Sequence, residues 1–133
     1  MGNEVAFFEI GSDDPEALER FYGDVFGWTF TAGHGNPYSI IQTKGENGLA
    51  LGGLWDSKVE ENNPLPANYA VCVIRVEDVA KTCENVSAAG GTVIVPPMPS
   101  DDGAAIFAHL RDPSGNHIAV FHSEFTYEKG ELF

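Results

Sequence analysis

The chain has 133 residues, of which 43% are hydrophobic and 20% charged, a composition that suits one compact domain and excludes a disordered or disulfide-dependent chain. Twenty acidic residues against seven basic ones leave a formal charge of −13, which opposes binding to nucleic-acid phosphates or anionic membrane surfaces and suits a neutral or cationic small ligand. No apolar run reaches the roughly 18–20 residues of a membrane span, and Met1-Gly2-Asn3-Glu4-Val5 lacks the basic start and apolar core of an export signal, so a cytoplasmic protein is expected.

The first predicted strand is Glu4 to Ile10. Alternation puts Val5, Phe7 and Glu9 on one face and Ala6, Phe8 and Ile10 on the other. Asp14 is placed to cap a helix that opens on Pro15, and Gly27 ends it. Leu18, Phe21, Tyr22 and Val25 follow helical spacing and are expected to form its apolar face. Three strands follow near 28–32, 37–43 and 48–55, separated by turns at His34-Gly35-Asn36-Pro37 and Glu46-Asn47-Gly48. Residues 57–67, polar and carrying Pro64 and Pro66, read as a linker.

The order then repeats. Tyr69 to Val76 is a strand, Asp78 an N-cap, and Val79, Cys83 and Val86 an apolar helix face closed by Gly90-Gly91. Strands at Thr92–Val95, Ala104–Leu110 and His117–Phe121 follow, with a Pro-rich loop at 96–100 and a turn at Asp112-Pro113-Ser114-Gly115-Asn116. The tail from Ser123 has no period. Cys72 and Cys83 both fall in apolar patterns and are expected to be reduced, buried thiols.

A slide of 64 residues lays Ile10 on Ile74, Asp14 on Asp78 and Gly27 on Gly91. The expected fold is therefore α+β, with two tandem β-α-β-β-β modules forming a curved mixed sheet around a cleft and helices outside. Module one spans 4–56, the linker 57–67, module two 68–123 and the tail 124–133.

Several stretches carry a resemblance. They are Phe7-Phe8-Glu9-Ile10 followed by Asp14-Pro15-Glu16-Ala17-Leu18-Glu19-Arg20-Phe21-Tyr22-Gly23-Asp24-Val25-Phe26-Gly27-Trp28, then Ala88-Ala89-Gly90-Gly91-Thr92-Val93, then Arg111-Asp112-Pro113-Ser114-Gly115-Asn116. Together they resemble the glyoxalase/bleomycin-resistance/dioxygenase family of the vicinal oxygen chelate superfamily. The resemblance implies a cleft in which a divalent metal acts as a Lewis acid, with ligands from the first and last strands of each module. Carried over by distance from the shared motifs, those positions hold Phe7, Val71, Ala119 and a residue near Gly52. None of these side chains offers a lone pair, so neither metal nor other cofactor is expected.

Strand parity places Glu9 beside Phe7 and His117 beside Ala119. A carboxylate between Phe8 and Ile10 invites a raised pKa and acid–base use as a catalytic residue. It equally fits a structural carboxylate bonded to backbone or exposed at a strand edge. His117 fits a hydrogen-bonded structural histidine as well as a ligand-binding one, while His109 and His122 lie on neighbouring strands with faces unassigned and His34 lies in a turn. Phe7, Trp28, Tyr38 and Trp55, with Val71, Val73 and Ala119, are the expected ligand-binding wall, since aromatic faces grip flat or cationic ligands. Phe8, Phe21 and Phe26 read as core filling. Asp13-Asp14 and Asp101-Asp102 are assigned to capping and to a loop, not to acid–base work.

Two functions follow. One is a metal-free small-molecule-binding protein resembling the drug-sequestering branch, expected as a homodimer and binding a neutral or cationic, aromatic ligand. The other is a lyase, isomerase or dioxygenase-like enzyme using Glu9 or a displaced metal.

Overall fold

A computed structural model describes residues 2–32, 38–46, 48–58, 65–100 and 103–123. The readings at His34 and Pro37, Asn47, Pro64, Asp101-Asp102 and the tail beyond Ser123 lie outside the described residues. The elements are β1 (Val5–Ser12), α1 (Pro15–Phe26), β2 (Thr29–Ala32), β3 (Tyr38–Gly45), β4 (Gly48–Asp56), β5 (Tyr69–Arg75), α2 (Val79–Ala88), β6 (Thr92–Pro99), β7 (Ala105–Arg111) and β8 (His117–Ser123). The fold class is α+β, with two β-α-β-β-β modules of mixed sheet. Among the described residues no helix is long and apolar enough to cross a membrane.

The chain divides into two compact units, Phe7–Val71 and a second made of Cys72–Phe133 with Met1–Ala6. In the first, the strand order is β2-β3-β4-β1, antiparallel except for the parallel β1/β4 pair. β3 and β4 form a hairpin whose register runs from Tyr38 opposite Trp55 to Gly45 opposite Gly48. Asp14 caps α1, its carboxylate accepting from the Ala17 N–H at 3.2 Å, and Gly27 closes it at φ 74°. The core beneath this helix is Ile10, Ile41 and Leu54, flanked by Phe8, Leu18, Tyr22, Trp28 and Phe30. Burying Ile41 and Leu54, at 0% and 1% exposure, is worth roughly 1.5–3 kcal/mol each.

Only part of the expected helix face packs inward, and that part is half-buried. Leu18 and Tyr22 meet the sheet, whereas Phe21, Val25 and Phe26 are 54%, 58% and 59% exposed. At 100° per residue, Leu18 and Tyr22 share the inner line and Phe21 and Phe26 fall to either side of it, whereas Val25 lies on that line one turn further on and is exposed there. Phe21 and Phe26 are therefore not core filling in this unit.

The second unit repeats the plan in the order β5-β8-β7-β6, with β5/β8 parallel and the other pairs antiparallel. Asp78 caps α2 through the Lys81 N–H at 3.0 Å. Val79, Cys83, Val76, Ala108, Leu110 and Val120 form its core, with Val86 packed against them. Arg75 ties the N-terminal residues to this unit. Its N–H donates to the Glu4 carbonyl at 3.0 Å, its guanidinium lies 3.5 Å from the Glu4 carboxylate, and it stacks over Phe121 at 4.7 Å. The Asp112 carboxylate accepts from the Asn116 side chain and from the Ser114 and Asn116 N–H groups, all at 2.9 Å. Those bonds, the Asn116 side chain's foremost, hold it below the usual carboxylate range.

Two expectations need correction here. Residues 96–99, read as a loop, continue β6 to Pro99. β6 ends the strand order, so its prolines sit where missing N–H donors cost little, and the pairing with β7 shifts register twice to admit them. Cys72, expected buried, is exposed because it alternates outward between buried Val71 and Val73, while Cys83 is buried.

Candidate functional site

The site in the first unit grows from strand parity. Register sets Glu9 beside Gly53 and Gly11 beside Trp55 along β1/β4, with Tyr38 opposite Trp55 on β3. Residues 9, 11, 53, 55 and 38 thus share one face, opposite the helix-covered core. Tyr69, opening β5, donates its hydroxyl to Glu9 Oε2 at 2.7 Å, and Tyr38 donates to Oε1 at 3.1 Å. Each carboxylate oxygen therefore has its own phenol.

Two glycines make this possible. A Cβ on Gly53 would overlap the Tyr38 hydroxyl, and one on Gly11 would overlap the Tyr69 ring. Glycine inside a strand here admits a ring across bare backbone. Glu9, Tyr38, Trp55 and Tyr69 are all half-buried. Burial pushes the Glu9 carboxyl above its ordinary value, and the hydrogen bonds from Tyr69 and Tyr38 pull only part of the way back. Burial, then the Glu9 charge and hydrogen bond, pushes the Tyr69 phenol up, so it remains a donor.

The second unit holds a histidine pair. His109 Nδ1 and His117 Nε2 lie 2.9 Å apart, so one carries the shared proton and the other accepts it. His109 is buried at 3% exposure, and burial with the neighbouring His117 lowers its pKa to about 4. Burial and the Arg111 charge lower that of His117. Ala119 stands opposite both His109 on β7 and Val73 on β5. His122 contacts the Val76 carbonyl at 3.0 Å.

The expected site residues separate as follows. Glu9, Tyr38 and Trp55 come together in the first unit, where Phe7 and Val71 are also buried at 6% each. Val73, Ala119 and His117 belong to the second unit. Trp28 is not on the Glu9 face. It precedes β2 and stacks on Tyr22 at 4.7 Å and 7° and against Phe8 at 5.6 Å, within the helix-covered core. At the position carried over near Gly52, Gly52 faces the Phe8 ring and Gly53 is the residue beside Glu9. Tyr69, Gly11 and Gly53 were not among the expected site residues. The signal available for the glycines was their position inside apolar strands.

Phe7, Val71, Ala119, Gly52 and Gly53 offer no side-chain donor to a metal. Among the described residues no three His, Cys, Asp or Glu side chains converge as a metal-holding group. A depression of about 530 Å³, lined by Asn3, Val76, Glu77, Asp78, Lys81 and Thr82, includes none of the expected site residues.

Comparison with known proteins gives the family. A sequence profile of the glyoxalase/bleomycin resistance protein/dioxygenase superfamily matches residues 4–120. The chain belongs to that superfamily. A glyoxylase-like domain-containing protein of Didymella fabae is 30% identical over 125 residues, 90% of this chain and 94% of that protein. A lactoylglutathione lyase of Haemophilus influenzae is 28% identical over 115 residues, 80% of this chain and 83% of that protein. In structure, a Streptomyces coelicolor methylmalonyl-CoA epimerase in complex with 2-nitronate-propionyl-CoA matches with a TM-score of 0.64 at 14% identity, covering 92% of this chain and 95% of that one. The last likeness concerns the fold alone.

Proposed function

We propose that this member of the superfamily binds a small neutral or cationic molecule on the Glu9 face and does so without the usual divalent metal or another cofactor. The observation that carries this reading is the Glu9 carboxylate held between the Tyr69 and Tyr38 hydroxyls at 2.7 and 3.1 Å. A metal needs several converging donors, and the positions inherited from the resemblance hold Phe7, Val71, Ala119 and a glycine, none with a side-chain donor atom. An acceptor oxygen beside the Tyr38 and Trp55 rings suits a hydrogen-bond donor or cation that also presents a flat apolar surface. The resemblance adds a homodimer to the proposal, for which sedimentation gives the mass.

A second reading is favoured by one specific observation, the upward push on Glu9. A carboxylate of raised basicity takes a carbon-bound proton more readily than an ordinary one, which is the need of a lyase or isomerase. The similarity to a lactoylglutathione lyase is in keeping with that reading.

The test is a small-molecule library screened against chelator-treated protein by thermal shift. Hits should stabilise the wild type and lose their effect in Glu9→Gln. Hits indifferent to Glu9→Gln, or appearing only after a divalent metal is restored, contradict the proposal.

A further inference from the structure

The two tyrosines do not hold Glu9 in the same way. The Tyr69 bond is 2.7 Å, the commonest length for a hydroxyl donor, while the Tyr38 bond is 3.1 Å, just beyond the usual range. Their seats differ too. Tyr69 brings the side of its ring, Cδ2, Cε2 and Cζ, nearest to Gly11, whereas Tyr38 brings its tip, the hydroxyl and adjoining ring atoms, nearest to Gly53. The Tyr38 ring tilts at 46° to Trp55 with centroids 6.5 Å apart, a looser contact than a stack.

We propose that Tyr69 is a positioning residue that locks Glu9 Oε2, and that Tyr38 is the exchangeable partner of Oε1, so that the ligand carries a hydrogen-bond donor beside an acceptor. This rests on the reading of the Glu9 face as the binding site. The donor takes the place of the Tyr38 hydroxyl at Oε1. The released hydroxyl, a few ångströms away, donates to the acceptor. Amides and imides with a free N–H have this pairing, and N-alkylated amides lack its donor half. Tyr69 stays in place throughout, because its phenol is held as a donor by burial and by the carboxylate it faces.

Carbon-13 NMR of glutamate-labelled protein reads the Glu9 carboxyl directly. Tyr69→Phe should raise its titration midpoint by about one to two pH units, the loss of one hydrogen bond to a charged group. Tyr38→Phe should raise it by less than half as much. δ-Valerolactam should move the Glu9 signal in the wild type, and its N-methyl derivative should not. Tyr38→Phe should weaken the lactam several-fold. A Tyr38→Phe shift equal to or larger than that of Tyr69→Phe overturns the positioning role whatever binds. If the tyrosine order holds but neither lactam moves Glu9, the amide class is overturned, while the binding reading stands or falls on the library screen with Glu9→Gln. Equal responses to both lactams overturn the donor requirement alone.

Discussion

Replacing Glu9 by glutamine should change how stability depends on pH. The ordinary value for this carboxyl is 4.5, and burial raises it in the fold despite two phenolic donors. Above pH 4.5 the unfolded chain releases the proton while the folded chain keeps it. The native state then binds more protons than the unfolded state, so the Glu9 contribution falls as pH rises. The slope approaches about 1.4 kcal/mol per pH unit for one proton and flattens once pH passes the folded midpoint. Against a total stability on the order of 5–15 kcal/mol, such a slope is measurable. Glutamine keeps the shape and cannot ionise. Urea unfolding of both proteins between about pH 4 and pH 8 should therefore show wild type minus Glu9→Gln greatest at the acid end and declining toward neutrality. A difference that grows with pH would refute the reasoning, because it would mean that the phenolic bonds outweigh desolvation. Parallel curves would mean that Glu9 is solvated.

Gly53→Ala should drive the Tyr38 hydroxyl off Glu9, since the added Cβ overlaps it, and lower the unfolding free energy by about 1–3 kcal/mol in urea titrations. His109 has the opposite linkage to Glu9: the unfolded ring takes a proton near 6.5 and the folded ring only near 4, so stability is full above 6.5 and falls by roughly 3 kcal/mol as pH drops to about 4. Unfolding in the same acid window should lose this dependence in His109→Gln. Leu54→Ala, at a fully buried position, should cost about 2–5 kcal/mol by the same assay.

Much of the fold was legible because its punctuation is local. Asp14-Pro15 and Asp78 open helices, Gly27 closes one with a positive φ, and their 64-residue offset exposes the repeated plan. Parity alone put Glu9 beside Phe7 on one face. What failed depended on ladder register and on packing across distance. Tyr69 reaches Glu9 over 60 residues, which no window of periodicity contains. Trp28 was misplaced because it lies in the short link before β2, where alternation has not begun and stacking on Tyr22 decides its direction. The prolines of β6 were read as a loop because edge position, which makes them tolerable, is a property of the sheet and not of the segment.

The absence of a metal requirement is the central claim, and titration calorimetry of nickel, zinc, iron(II) and manganese into chelator-treated protein tests it most directly. The account predicts no stoichiometric tight binding and an unchanged melting temperature with and without each ion. One firmly bound ion per chain, lost in Glu9→Gln and restoring thermal stability on addition, would contradict it.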